Sequence, residues 1–600
     1  MKKITIILIA LIISANVNAA DYYIAQSAAG SGDGSSCANA DAIADLTWGT
    51  GNMVKAADTL HLCGTITSTL TIGASGSEGS VITVIFETGA KFSKGDDAAW
   101  GGGEEPSSSA AIYGANKSYI TIDGNDVGVV ENTDNGTGLG VSVNSHGVVF
   151  TEGSNITVKD LTIKEIYKRT ARSDTDSNAH GVGIWFRNVS SGVISGNTIY
   201  GSFHCIAATA SSGNPSNLTI NDNDLSQMST GIKVALDGAT NYSNINIYRN
   251  KIYDTYVWDG SWGAGLWHHR DGIHTWGNYS SNTLGPLNIY GNEFSGDWGA
   301  QAGWSNPRVT GFIYITDYTT PVTIYNNLFA PTDGVYNNGW INLQSYGAAA
   351  AAIYNNTFAG ITKANTGGVG IYFASGGGWT ADIQNNIICT LYIAIYDYTT
   401  SGSIPNITTD YNAIYNVGSV GRDRSAWYSD LAKWRTKLGG CAGEGNECSS
   451  ITTNPALVGS GDYSLSAASP AINVGADLSD SFTTDLIGNA RPTGVNAWDL
   501  GAYEYGASPD PKDPPTTYTV TVSESGDTGI LSVTGERTVV ATDSISVTAT
   551  RKNGWNGAWS GTCPSVGSCT VSDEGKTGAC ESTPIEACWM KYTATEIPIL

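Results

Sequence analysis

The sequence predicts an all-β protein whose main body is a parallel β-solenoid, and three observations predict it. Glycine is abundant, at 74 of 600 residues, while charged residues make up only 14%, a balance that favours turn-rich β structure over helix or disorder. A short alternating strand followed by an asparagine recurs through most of the chain. A second alternating strand recurs upstream of each of these.

At the N-terminus, MKKITIILIALIISANVNAA carries two lysines, an apolar run, and Val17 and Ala19 where a signal peptidase cuts. Residues 1–19 therefore read as a secretory signal peptide and are set apart from the fold. The apolar run is short for a membrane span and no later stretch qualifies, so no membrane insertion is expected. The expected location is secreted or cell-surface. A formal charge of −24 repels phosphates and excludes nucleic acid as a partner. An acidic polysaccharide would equally need a local basic patch. Ten cysteines suit an oxidising compartment. Short spacings suggest the pairs Cys37–Cys63, Cys441–Cys448, Cys563–Cys569 and Cys580–Cys588, while Cys205 and Cys389 lie inside apolar strand patterns and read as buried thiols.

The repeat comes next. YITIDGNDV (119–127), GVISGNTI (192–199), LTINDNDL (218–225), INIYRNKI (245–252), LNIYGNEF (287–294), VTIYNNLF (322–329), AAIYNNTF (351–358) and ADIQNNII (381–388) share one pattern. Its asparagines are Asn125, Asn197, Asn223, Asn250, Asn292, Asn327, Asn356 and Asn386, with Asn412 a continuation and Leu161 the one break. Spacings of roughly 26–42 residues suit one coil of a solenoid with variable loops. Strands of adjacent coils then pair at about 4.8 Å. Asparagine tolerates the left-handed bend, and stacked amides can bond along the axis. These asparagines are expected to be structural.

This pattern resembles the right-handed parallel β-helix proteins, a superfamily of pectate and alginate lyases, polygalacturonases and phage tailspikes; the handedness is what the resemblance implies. TLHLCGTITSTLTIGASGSEGSVITVIFETGAKF (59–92) is similar to the opening coils of secreted β-helix proteins. NPALVGSGDYSLSAASPAINVGADL and DLIGNARPTGVNAWDLGAYEY, within 454–505, resemble the closing segment of bacterial β-helix proteins of the choice-of-anchor type. Asp485, Arg491, Asp499 and Glu504 in that segment are expected to form a cap held by charge pairs. SAWYSDLAKWRTKLG (425–439) reads as an amphipathic helix with Trp427, Leu431, Trp434 and Leu438 on one face, packed over the last coils. The domain plan is a β-helix over 20–507 with a helical insertion at 423–440, a proline-rich linker at 508–517 and a small β module at 518–600. In the module, GWNGAWSGTC and GSCTV are similar to bacterial surface repeats of the internalin type.

The pleat assigns faces to the second strand series. Aligning GVVFTEG (147–153), GIWFRN (183–188), CIAATA (205–210), GIKVALD (231–237), GIHTWG (272–277), GFIYITD (311–317), GWINLQS (339–345), GIYFAS (370–375) and AIYDYT (394–399) points Ile184, Phe186, Ile206, Ile232, Val234, Ile273 and Ile371 inward. Trp185, Arg187, Lys233, His274, Trp276, Tyr372 and Tyr396 then point outward into an exposed column. The glycines set the registers of 311–317 and 339–345 only to within one residue. The dense stretch WHHRDGIHTWG (267–277) is thereby divided: Trp267, His268, His269, Arg270 and Asp271 form a loop over the face that carries His274 and Trp276. With Trp258, Trp262, Trp298 and Trp304 nearby, the groove offers aromatic surfaces for sugar rings. A polysaccharide or cell-surface glycan is the expected partner.

Three functions compete. A polysaccharide lyase needs a base for the proton beside a uronate carboxylate and a cation for the developing enolate. Lys233 or His274 is the candidate base, and Arg270 or Arg187 the carboxylate partner. Lys159, Lys164, Lys168, Arg169, Arg172, Arg187, Lys233 and Arg270 would supply the basic patch. A glycoside hydrolase needs two carboxyl groups, for which Asp237, Asp271 and Asp317 are candidates. The third reading is a non-catalytic adhesin that only binds. No motif demands a cofactor. Zinc on His268, His269, His274 and Asp271 fits by residue type, but adjacent histidines diverge in an extended segment. Calcium on Asp254, Asp259, Asp271 or Asp297 is the ion that the resemblance to β-helix lyases implies.

Overall fold

The protein is described from a computed structural model. It describes residues 19–506 apart from 50, 52, 95–108, 133–144, 167–180, 239–240, 256–269, 278–282, 299–307, 317–320, 333–335, 338, 345–348, 361–367, 375–378, 399–405, 442–445 and 493–497, together with the strands between 517 and 596. Residues 1–18 of the expected signal peptide and Trp258, Trp262, Trp267, His268, His269, Trp304 and Asp317 lie outside the described residues.

Two units divide the chain, Met1–Ala507 and Ser508–Leu600. The first is a parallel β-helix, as predicted: 34 strands join one sheet system in which each coil pairs with the coils before and after it. A representative coil runs through strands Asp271–Trp276, Leu287–Tyr290 and Glu293–Gly296 before Gly311–Thr316 starts the next. Like side chains stack on like. Ile232, Ile273, Ile313, Ile341, Ile371 and Ile395 form one interior column, and Ile220, Ile247, Ile289, Ile324, Ile353 and Ile383 form a second. All are fully buried, each contributing about 1.5–3 kcal/mol of transfer free energy. The third strand series stacks phenylalanines, with Phe294 and Phe329 at 4.9 Å and Phe329 and Phe358 at 4.7 Å. All seven residues predicted to point inward are buried at 0% exposure.

The asparagine ladder is continuous from Asn197 to Asn412. Each side-chain amide donates to the next residue's Oδ1, at 3.0 Å for Asn197–Asn223 and 3.1 Å for Asn386–Asn412. One expectation is corrected. The left-handed residue of each bend is the one before the ladder asparagine: Gly196, Asp222, Arg249, Gly291, Asn326, Asn355, Asn385 and Tyr411 all have positive φ. The ladder asparagine instead spends its amide on buried backbone carbonyls, as Asn292 does on Ile247 and Tyr290. Asn125 stands apart, being itself left-handed, with its amide 3.4 Å from the Phe86 carbonyl.

That division of labour explains the paired asparagines of the later coils. The left-handed members hold the closing segment: Asn326 donates to the Thr484 carbonyl at 2.7 Å, Asn355 to Asp499 at 2.9 Å and Asn385 to Ala476 at 2.8 Å. The predicted terminal cap is therefore a strap laid back across earlier coils. Arg491, 2% exposed, anchors it through Glu504 at 2.8 Å and the Asn326 and Gly501 oxygens at 2.9 Å. Burial pushes the Glu504 carboxyl up to about 7 against the pull of Arg491. Asp485 and Asp499 accept backbone N–H groups from Ile487, Asn489, Glu504, Asn473 and Tyr505.

The end of the coil is covered by a helix shorter than predicted. It spans Leu431–Lys437, with Asp430 accepting from the Lys433 N–H as its N-cap. Trp427 is not on it. The chain first reverses, pairing Trp427–Tyr428 antiparallel to Gly421–Arg422, and Trp427 is left 47% exposed. Trp434 plugs the coil end, fully buried over Gly421, where a Cβ would lie 2.1 Å from the indole. Gly421→Ala is expected to cost about 1–3 kcal/mol by overpacking, measurable as a lower denaturation midpoint and increased Trp434 fluorescence mobility.

Disulfides join Cys37 to Cys63 and Cys441 to Cys448, and Cys205 and Cys389 are buried thiols, as expected. Cys563 and Cys588 lie outside the described residues. The second unit contains two four-stranded sheets. One orders Arg537–Val540, Thr517–Glu524, Trp589–Glu596 and Trp555–Thr562; the other orders Ile530–Thr534, Ser546–Arg551, Gly578–Cys580 and Cys569–Val571.

Candidate functional site

The strand series containing Asp271–Trp276 carries the candidate site. Its pairing sets Trp185, Ala207, Lys233, His274, Tyr314, Asn342, Tyr372 and Tyr396 in one outward column. Two residues further along each strand, Arg187, Thr209, Ala235, Trp276, Thr316, Gln344, Ala374 and Tyr398 form its neighbour. Lys233 and His274 are direct cross-strand partners, about 4.8 Å apart at the backbone.

Around that pair the side chains interlock. The Lys233 ammonium lies 4.3 Å from the centre of the Trp276 ring, and the carboxylate whose charge reaches it among the described residues is the exposed Asp237. Burial lowers its pKa, with Asp237 pulling the other way. Desolvation penalises the charged amine and so favours the neutral form. His274 stacks on Tyr314 at 4.7 Å and leans on Trp276 at 4.9 Å. Its Nδ1 is 3.2 Å from Asp271 Oδ2. Asp271 is fully buried, and Oδ1 accepts the Gly311 N–H at 3.1 Å. Burial pushes its carboxyl well above the usual range, against the Gly311 N–H, the Thr310 hydroxyl and the Arg270 charge. Tyr314 donates its hydroxyl to Gln344 at 2.8 Å.

Several expectations change. His274 points away from the coil interior but is only 7% exposed, because Trp276 and Tyr314 cover it. Asp271 is the first residue of the strand, not part of a loop, and no carboxyl so enclosed is free to attack a sugar. Arg270 is 5% exposed, and its charge acts on Asp271 instead of facing an open groove. Trp298 is core, 1% exposed and 4.4 Å from Phe312, so it lines no groove. Of the predicted basic patch, Lys168, Arg169 and Arg172 lie outside the described residues, and two other members are paired with carboxylates. Lys159 is 2.7 Å from both Asp123 and Asp160, and Lys164 is 3.0 Å from Glu131.

Other predicted residues are spread along the axis. Trp185 donates to Thr209 at 3.0 Å and Arg187 to Ser211 at 3.2 Å, two coils before Lys233 and thus about 10 Å away. Asp237 is exposed beyond the end of the Lys233 strand. Tyr372 is three coils past His274, about 14 Å away. Tyr314 was missed because aligning Gly311 with Gly272 misplaces that strand by one residue. The pairing is Ile273 with Ile313, and matching the isoleucines would have found it. Of the carboxylates offered for calcium, Asp254 Oδ1 is taken by the Asp297 N–H at 2.7 Å, Asp271 is enclosed and Asp259 lies outside the described residues. No cluster of three ligand side chains is assembled among the described residues.

A scan of protein-family descriptions and a search of curated proteins found no match. Among solved structures the chain is similar to the pectate lyase Pel9A, at 15% identity and a TM-score of 0.37 over 81% of this chain and 96% of that one. It is similar to XylC in complex with xylose, at 11% identity and a TM-score of 0.43 over 81% and 98%. The lacto-N-biosidase of Eubacterium ramulus matches at 13% identity and a TM-score of 0.39 over 66% and 67%. At these values no residue role passes from them to this chain.

Proposed function

We propose that the protein is an exported, carbohydrate-active enzyme, a lyase that cleaves a uronic-acid-containing polysaccharide by β-elimination. The observation that carries this is Lys233: a partly buried amine without a carboxylate partner among the described residues, set over an indole beside His274. In its neutral form Lys233 takes the proton from the carbon beside the uronate carboxylate. The freed electron pair forms a carbon–carbon double bond and expels the glycosidic oxygen one carbon further on, which takes up a proton. His274, covered by Trp276 and Tyr314, backs the indole on which the Lys233 ammonium rests and so positions that amine. Arg187, two coils away, meets the carboxylate of a neighbouring sugar unit. The hydrolase reading loses Asp271, whose carboxyl is enclosed.

The test is to incubate the full-length protein, with and without chelator, with uronic-acid and neutral polysaccharides. Ultraviolet absorbance from unsaturated ends supports the lyase, reducing ends without that absorbance support a hydrolase, and binding without cleavage overturns both. Loss of activity with chelator assigns an ion to the reaction. The pH profile has a definite sign. A base must be deprotonated, so the rate rises with pH through the Lys233 pKa, and burial places that limb below the ordinary lysine value. A rate that falls across the same range overturns Lys233 as the base.

A further inference from the structure

Beyond the Lys233 site, the same outward face ends in a second constellation. Its logic starts in the stretch Arg422–Asp423–Arg424. Alternation in an extended chain sends the two arginines to one side and the aspartate to the other. Asp423 is consumed internally: it accepts from the Ser425 and Ala426 N–H groups and the Tyr428 hydroxyl, and pairs with Lys437 at 2.9 Å. Both guanidinium groups are left outside with aromatic neighbours. Arg422 lies 4.5 Å over Tyr396 and 4.0 Å over Trp427, and Arg424 lies 4.6 Å over Tyr398. Neither arginine has a carboxylate partner among the described residues, unlike Arg249 and Arg491, which do.

The aromatics form a continuous ledge. Tyr372 is 5.1 Å from Tyr396 on the next coil, and Tyr392 is 5.4 Å from Trp427. Trp427 at 47%, Tyr398 at 38% and Tyr392 at 38% are among the most exposed large side chains of the first unit. Exposed rings beside cations without carboxylate partners among the described residues, in a chain of net charge −24, make a surface complementary to a ligand that offers both apolar ring faces and negative charge. Sugar rings supply the first and carboxylates the second.

We propose that this aromatic–arginine ledge on the last coils is a non-catalytic binding surface for an acidic polysaccharide. It continues the column of Lys233 and His274, beginning four coils beyond Lys233 at Tyr372, about 19 Å along the axis. One extended chain therefore reaches both, and the ledge deepens the lyase reading by fixing the substrate as long and anionic.

The experiment uses the full-length protein carrying Lys233→Ala, so that no probe is cleaved. Calorimetric titrations with polygalacturonate, alginate and hyaluronan are compared with fully methyl-esterified polygalacturonate. Arg422→Ala with Arg424→Ala is expected to weaken binding of the preferred acidic chain by about tenfold or more, as loss of charge-assisted contacts does, and to leave the uncharged chain unaffected. Trp427→Ala, at an exposed position, is expected to weaken both. Unchanged affinity in these variants at an unchanged denaturation midpoint overturns the ledge, as does failure to bind any of the three acidic chains. Binding lost with the ledge variants while the unmutated protein yields no unsaturated product supports the ledge and refutes the lyase. Product formation with binding indifferent to the variants does the reverse.

Discussion

Lys233→Ala is expected to lower the rate of β-elimination by about two to four orders of magnitude, the range for removing a positioned general base, while leaving the denaturation midpoint nearly unchanged. The two halves of that expectation have separate causes. The amine sits where burial disfavours its charged form, which raises the fraction able to accept a proton. Asp237, the carboxylate whose charge acts on it among the described residues, is exposed, so its loss leaves no buried charge behind. Lys233→Arg separates chemistry from charge, because a guanidinium keeps the positive charge and cannot deprotonate. It is expected to be as inactive as the alanine variant and to bind substrate as well as the parent. Initial rates by ultraviolet absorbance, with a thermal melt of each variant, decide the matter. His274→Ala is expected to lose activity as well; if both single variants remain active, this site is not the active site.

Asn292→Ala is expected to lower stability by about 2–5 kcal/mol, since it orphans several buried polar groups at about 1–3 kcal/mol each. Asn292 is fully buried at the middle of the ladder. Its Oδ1 accepts both the backbone and side-chain N–H groups of Asn250 at 3.0 Å, and its amide serves the Ile247 and Tyr290 carbonyls and Asn327. Asn292→Asp keeps the shape and the acceptor but removes the donors, so it is expected to be about as costly. Asn125→Ala is the control: Asn125 lies outside the ladder, its side chain makes one long contact to Phe86, and the variant is expected to cost only about 1–2 kcal/mol, that of an alanine held left-handed. Denaturant titration of the three variants measures the difference. Equal midpoints for Asn292→Ala and Asn125→Ala would show that the ladder is dispensable.

Legibility followed the range of the forces involved. The interior columns were readable because alternation is a local, period-two property, and the residues from Ile184 to Ile371 that it pointed inward are buried. The ladder was readable because each bend carries its own asparagine. What failed was what depends on a neighbour far away in sequence. The first asparagine of each pair, at Asn326, Asn355 and Asn385, gains its purpose only from a strap more than a hundred residues downstream in two of three cases, at separations of 158 and 144. The helix at 431–437 is short because a strand reversal at Trp427 takes the turn before it.

By itself the sequence determined the coil, its inward and outward faces, the ladder and the neighbourhood of Lys233 with His274, since a fixed repeat and a two-residue pleat suffice for all of them. Only the tertiary structure decided that Tyr314 stacks on His274 in the candidate site, that His274 and Asp271 are covered, and that the two arginines at 422 and 424 lie against neighbouring aromatic rings. The physical reason is register and coverage. A slip of one residue between coils moves a side chain to the other face, and whether an outward residue meets water depends on the rings stacked on it from adjacent coils, which no local pattern encodes.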